Sequence, residues 1–258
     1  MTIPGLAVSE TDGVLTLRFD RPEVFNALTG EMVTAVSEAL EKVNSRDDIR
    51  VVVITGTGAA FSTGADVGGE NAHERFDVRA MDAANRLVRA IVECHKPVVA
   101  GVNGVAAGLG LSVALACDLA VTTESASLLL AFARIGLMPD GGASATVAAA
   151  IGRPRAMRMA LLAEPLAAPE AYRAGLVSHL VADADYEAEL ASVVKRVRYG
   201  APLGQTATKR AVNQAAWASL EPALEYERDT QTMLMRTADV AEGMAAFSEK
   251  RRPVFRGE

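Results

Sequence analysis

Three short segments hold residues whose types and spacing could do chemistry. Phe61-Ser62-Thr63-Gly64-Ala65-Asp66-Val67 places a glycine before a small residue and an acid. Glycine lets the backbone approach a ligand and turn its N–H groups outward, although an ordinary loop uses the same residues. Asn103-Gly104-Val105-Ala106-Ala107-Gly108-Leu109-Gly110-Leu111 leads into an alanine-rich run. A glycine turn opening a helix offers free N–H donors and the positive dipole end to an oxyanion. Close helix–sheet packing would need the same glycines. The spacing matches neither a dinucleotide fingerprint nor a P-loop. The third segment, Arg134-Ile135-Gly136-Leu137-Met138-Pro139-Asp140-Gly141-Gly142, sets an acid among apolar neighbours. Such neighbours raise a carboxyl pKa and suit it to proton transfer near neutral pH. The competing reading makes Asp140 a turn residue capping a helix that begins near Ala143.

Other polar residues carry less. His73, His95 and His179 share no spacing that suggests a metal site, and each reads as structural or exposed. Asp66 reads as a stabiliser of its own loop, and Asp118 as a cap or strand-end residue. No Ser-His-Asp order with a nucleophile elbow occurs.

Periodicity indicates what must position these segments. Residues 14–19 alternate, Leu15, Leu17 and Phe19 against Thr16 and Arg18, which predicts a half-buried strand. Met32, Val36, Leu40 and Val43 recur at helical spacing over residues 31–44, with Thr29 as N-cap. The β-branched run at 51–55 suits a strand covered on both faces, and 97–102 and 119–122 look similar. Helices are predicted over 78–93 and 110–117. Strands alternating with helices imply an α/β layout with parallel pairing. Beyond about residue 144, helical patterns cover 145–162, 187–198, 206–217 and 222–246, with one late strand at 177–181. The expected organisation is an α/β core over residues 1–195 and a helical region over 196–258.

A length of 258 residues favours one large domain. The net charge of -6 argues against nucleic acid as the main partner, because phosphate backbones select basic surfaces. Cys94 and Cys117 sit in apolar flanks and read as free thiols of a reducing compartment, so a cytoplasmic location is expected. Residues 1–9 lack a basic patch followed by an apolar run, and no signal peptide is expected. Residues 97–117 carry no formal charge, long enough for a membrane span. Pro97, Asn103, Ser112 and the four glycines from Gly101 to Gly110 make that stretch weakly hydrophobic. A buried strand, a glycine turn and a tight helix are predicted there instead, with no membrane partner.

Several motifs occur together in a telling order. They are Phe25-Asn26-Ala27-Leu28, the Gly64-Ala65-Asp66 turn, Lys96-Pro97-Val98-Val99-Ala100 with Asn103-Gly104, and the Gly108–Gly110 turn. Cys117-Asp118, Gly136-Leu137-Met138-Pro139, Ala174-Gly175-Leu176-Val177 and Lys250-Arg251-Arg252-Pro253-Val254-Phe255 follow. The ordered set, covering about residues 14–255, resembles the enoyl-CoA hydratase/isomerase (crotonase) superfamily. That resemblance implies a crotonase-like spiral of ββα units with C-terminal helices that build a homotrimer or a dimer of trimers. It implies an acyl-CoA substrate, with no metal or redox cofactor. The oxyanion-hole donors map to the backbone N–H groups of Ala65 and Leu109. Coenzyme A is expected against the backbone of Thr63, Gly64, Asp66 and Val67, with Val24 and Phe25 towards the adenine. Gly108 and Phe132 are expected to contact substrate, and parts of residues 68–84 to form a pocket wall. Lys250 and Phe247, from this chain or from a neighbouring subunit, would meet the phosphates and the pantetheine arm.

The same resemblance separates branches. Hydratases keep two glutamates where this chain has Ser112 and Phe132, neither of which can act as a general base. The Δ3,Δ2-enoyl-CoA isomerases and ring-epoxide isomerases carry an acid directly after the Gly-x-x-Pro turn, the place of Asp140. The expected activity is therefore isomerisation, with Asp140 moving a proton from C2 to C4. The alternatives are a hydratase or other thioester reaction, and a non-catalytic CoA-binding subunit.

Overall fold

The β-branched run near residue 51 forms the middle of the fold. In the computed structural model, which describes residues 3–68 and 77–258, it is strand β3 (Val51–Gly56), buried along its length. With strands numbered in chain order, the large sheet holds β1 (Leu6–Thr11), β2 (Val14–Phe19), β3, β5 (Val98–Val102), β7 (Leu119–Thr123) and β10 (His179–Val181). They lie side by side in that order. β1 and β2 form an antiparallel hairpin, and the remaining pairings are parallel. Asp12 and Gly13, both at positive φ, make the two-residue turn whose twist suits such a hairpin.

Both faces of the sheet are covered, which is why β3 reads as apolar from Val51 to Ile54. Val52 and Ile54 join the main core with α1 (Gly30–Val43), α2 (Val78–Val92) and α3 (Leu109–Ala116). Val51 and Val53 face α7 (Tyr186–Arg198) through Tyr186, Leu190, Val193 and Val194. A smaller sheet orders β4 (Ala60–Ser62), β6 (Val105–Ala107), β8 (Ser127–Leu129) and β9 (Leu166–Ala167). Successive units β3–β4–α2, β5–β6–α3 and β7–β8–α4 (Ala143–Ile151) each give one strand to either sheet. This is the spiral of ββα units that the resemblance implies.

Several expectations need correction. The helix expected over 145–162 is two helices, α4 and α5 (Arg153–Leu162), divided at Gly152, whose φ of 77° with ψ of 156° no helix accommodates. The pattern over 222–246 likewise divides into α9 (Leu220–Leu234) and α10 (Ala238–Ser248), where the Thr237 hydroxyl accepts the Val240 N–H and starts a new helix. Helix α8 (Pro202–Ala216) begins earlier than expected, because Pro202 suits a first turn. The expected division at 195/196 falls inside α7. The charge-free stretch over 97–117 becomes β5, β6 and α3, and among the described residues no helix is long and apolar enough to cross a membrane.

Helix α6 (Ala168–Ala174) completes the fold. One buried ion pair ties α8 to the large sheet. Lys209 Nζ donates to Asp118 Oδ2 at 2.9 Å and to the Ile91 carbonyl at 2.8 Å, while Asp118 Oδ2 accepts the Val98 N–H at 2.7 Å. Asp118 is thus a strand-end residue, as expected, with a cation as its partner. Removing only the cation strands a buried carboxylate, a change that costs about 3 kcal/mol or more. Lys209→Met is expected to lower the unfolding free energy from urea titration by that amount, and Lys209→Met combined with Asp118→Asn to recover part of it.

Candidate functional site

The first glycine turn follows β4. Leu28 N–H donates to the Gly64 carbonyl at 2.8 Å, and Asp66 N–H donates to the Leu28 carbonyl at 3.0 Å. Those bonds bracket Ala65, whose own N–H points away and meets no acceptor among the described residues. The turn is braced from below. Ser62 Oγ donates to the Asn26 carbonyl at 2.8 Å and accepts the Gly64 N–H at 3.1 Å. Asn26, fully buried at positive φ, gives its side-chain amide to the Thr57 and Ala60 carbonyls. Arg21 Nη1 bridges the Ala27 carbonyl and Asp66 Oδ2 at 2.8 and 2.9 Å. Asp66 therefore holds its loop, as its position suggests.

The second turn joins β6 to α3. Gly108 adopts φ 52° with ψ −132°, a combination closed to side-chain-bearing residues, and so aims the first amides of α3 outward. Its carbonyl accepts the Leu111 and Ser112 N–H groups, leaving the Leu109 N–H without an acceptor among the described residues. The two turns touch. A Cβ on Gly64, itself at φ 93°, would lie 2.9 Å from both Leu109 N and the Ala107 carbonyl. Two uncommitted N–H donors thus lie side by side, one at the positive end of a helix, suited to an oxyanion.

The Gly136–Gly142 turn supplies the acid. Ser112 Oγ donates to the Asp140 main-chain carbonyl at 2.8 Å, which fixes the turn against α3. Asp140 is only 7% exposed. Its Oδ2 accepts from Gln231 Nε2 at 2.9 Å, and its Oδ1 has no hydrogen-bond partner among the described residues. Burial pushes the carboxyl pKa up to about 7; the Gln231 hydrogen bond opposes the rise and the nearby Glu227 carboxylate adds to it. The Asp140 side chain does not cap α4: Glu227 of α9 accepts the Gly142 N–H at 2.6 Å and the Ser144 N–H at 3.0 Å, and the Ala143 N–H goes to the Asp140 main-chain carbonyl at 3.3 Å.

Ala65, Leu109 and Asp140 line one cavity of about 480 Å³, walled largely by Val33, Met81, Ala84, Leu137, Met235 and Met244. Thr63, Asp66, Val67, Gly108, Phe132 and Phe247 also line it, and Gly64 lies directly behind the donors. Val24 and Phe25 stand outside the cavity on an exposed turn, with the Phe25 carbonyl accepting the Thr63 N–H. Lys250 lies outside it as well, two residues beyond α10. Of the wall expected over 68–84, Ala80, Met81, Ala83 and Ala84 line the cavity, while residues 69–76 fall outside the described residues. His73 falls there too. His95 and His179 are remote, bonded to Asn44 and to Ser178. Cys94 and Cys117 are buried free thiols. No group of three potential ligand side chains is gathered for a metal among the described residues.

Sequence reasoning missed Glu227 and Gln231, both fully buried. A signal existed, since Leu220, Leu224, Glu227 and Gln231 form one helical stripe in which two polar members interrupt an apolar face. The electrostatics has a measurable effect on stability. Asp140 titrates near 7 in the folded chain and near 4 when unfolded, so between those values the folded chain holds the extra proton and stability falls as pH rises. Asp140→Asn is expected to be neutral below pH 4 and to raise the thermal midpoint progressively up to pH 8, by the equivalent of about 2–4 kcal/mol. A pH series of melting curves on both proteins checks this.

Comparison with known proteins agrees with the geometry. The enoyl-CoA hydratase/isomerase family model matches residues 9–258. A Rhodobacter capsulatus protein named as a probable enoyl-CoA hydratase is 38% identical over 249 residues, 96% of either chain. The Escherichia coli 1,2-epoxyphenylacetyl-CoA isomerase is 35% identical over 251 residues, 95% of this chain and 96% of that one. The crystal structure of an enoyl-CoA hydratase from Mycobacterium avium subsp. paratuberculosis superposes with a TM-score of 0.93 at 43% identity, over 99% of this chain and 100% of the other. The chain belongs to the enoyl-CoA hydratase/isomerase family, whose enzymes act on coenzyme A thioesters.

Proposed function

We propose that this chain is an enoyl-CoA isomerase that shifts a double bond from Δ3 to Δ2. One observation carries the reading: among the described residues the cavity holds a single buried carboxyl group, that of Asp140, with an unpaired oxygen in the same cavity as two uncommitted backbone N–H donors. Ionised Asp140 removes a proton from C2 of a 3-enoyl thioester. The C–H electron pair moves into the C1–C2 bond, and the thioester oxygen becomes the dienolate oxygen facing Ala65 and Leu109. The carboxylic acid then returns its proton to C4, leaving the double bond between C2 and C3. One acid suffices because the proton that leaves is the proton that returns.

Hydration asks for more. A water must be held and deprotonated while a second group protonates C2, and the places where hydratases keep glutamates hold Ser112 and Phe132. Ser112 is engaged with the Asp140 carbonyl, and Phe132 gives the cavity an apolar wall. The reading requires no metal or redox cofactor, since proton transfer and oxyanion stabilisation complete the reaction. Coenzyme A would run along Thr63–Val67 past Val24 and Phe25, and Lys250 would meet a phosphate. A homotrimer or dimer of trimers is supported by exposed apolar side chains on the late helices, Leu203, Val212, Tyr226 and Met233. Two buried free thiols favour a reducing, cytoplasmic setting.

The test offers a 3-enoyl-CoA and a trans-2-enoyl-CoA to the wild type and to Asp140→Asn. Isomerisation lost by a thousandfold or more in the variant is expected, on the order of what an essential proton carrier supplies; efficient hydration that survives in it would overturn the reading. The wild-type kcat/KM should rise with pH through about 7, because the base form is the active one. Gly64→Ala, whose methyl would sit against Leu109 N, is expected to lower kcat by about a hundredfold or more.

A further inference from the structure

Asp140 has two chemically equivalent oxygens, and the structure treats them differently. Gln231, 91 positions away on α9, meets only one of them. Met138 N–H donates to Gln231 Oε1 at 3.1 Å, which sets the orientation of the amide. The Nε2 group then has both hydrogens spent, one on the Met138 carbonyl at 2.8 Å and one on Asp140 Oδ2 at 2.9 Å. Three bonds therefore lock the Gln231 amide, and through it the Asp140 carboxyl plane, while Oδ1 keeps no partner among the described residues. One turn earlier on the same helix, Glu227 holds the Gly142 and Ser144 amides and so fixes the turn that carries Asp140.

We propose that Gln231 is a positioning residue that ties Oδ2 of Asp140 and leaves Oδ1 as the one oxygen that exchanges protons with substrate. The inference rests on the isomerase reading for its kinetic consequence. A carboxyl free to rotate would present either oxygen at varied angles to C2 and C4, and a transfer between two carbons tolerates little misplacement. Gln231 also donates to the ionised form of Asp140 and so keeps more of it as base at neutral pH. Among the described residues, Glu227 from α9 is the charged group that acts on Asp140, and Asp66 and Arg134 line the same cavity.

Two variants test this. Gln231→Met keeps length and removes the polar atoms; Gln231→Glu keeps an acceptor for the Met138 N–H but sets a carboxyl against Oδ2. Each is measured twice: kcat and KM for a 3-enoyl-CoA across pH, and ionisation of Asp140 in the ligand-free protein by infrared difference against Asp140→Asn. Gln231→Met should lower kcat about tenfold or more with KM within about twofold, and move the Asp140 titration up by about one pH unit. Gln231→Glu should move that titration further upward, because like charges oppose one another. A thermal midpoint that drops while kcat and the Asp140 titration stay at their wild-type values would mean a merely structural role and overturn the proposal. If the wild type fails to isomerise a 3-enoyl-CoA, the functional reading falls, yet the infrared titration still decides whether Gln231 governs Asp140. If Gln231→Met does not fold, Gln231→Glu carries the same comparison.

Discussion

The structure depends on a contact in which no side chain takes part, the approach of the Gly64 turn to the first amide of α3. A methyl group at Gly64 would sit 2.9 Å from Leu109 N. The approach is possible because β4 and β6 pair in parallel in the small sheet, so the turns that follow them leave at the same edge. Gly110 extends the contact, since a Cβ there would meet the Ser62 carbonyl at 2.4 Å. The ββα repeat is thus more than a packing solution. It brings successive strand ends into register, and the two uncommitted donors lie where two repeats meet.

The acid is held on the opposite principle. Where the donors are exposed by removing side chains, Asp140 is buried by adding them, with one oxygen tied by Gln231 and the other left unsatisfied. Such an oxygen opposes folding, because a buried acceptor without a donor forfeits its hydration. Glu227 relieves Asp140 of capping α4, and its negative charge helps keep the acid's affinity for protons high. A fold selected for stability alone would exchange these roles or make Asp140 apolar.

Legibility in the sequence followed the range of the physics involved. Strands β2, β3, β5 and β7 were readable because burial imposes a local period. The glycine turns were visible, and yet open between loop, packing and chemistry, because what distinguishes them is their contact with each other. The ordered motifs fixed the family and pointed to Ala65, Leu109 and Asp140 together. Short strands such as β4 and β8 escaped because three residues carry no period. The divisions at Gly152 and Thr237 escaped because apolar spacing continues across them. Glu227 and Gln231 were missed for a different reason: their meaning lies in partners 83 to 93 positions away, and helical periodicity alone cannot say what a buried polar pair faces.

That separation along the chain has a consequence for synthesis. The donor pair draws on nothing beyond β8, whose Leu129 carbonyl accepts the Gly108 N–H, so it can form while the chain is about half made. The acid cannot be finished until α9 emerges, because Gln231 and Glu227 both lie there. Before then the Gly136–Gly142 turn has no cover from that helix, and Asp140 remains a hydrated carboxylate with ordinary acidity. Domains build up from the N-terminus as they leave the ribosome, so dehydration of the carboxylate is deferred to the end of assembly. A chain released before α9 would carry the two N–H donors while the Asp140 carboxylate still lay in water.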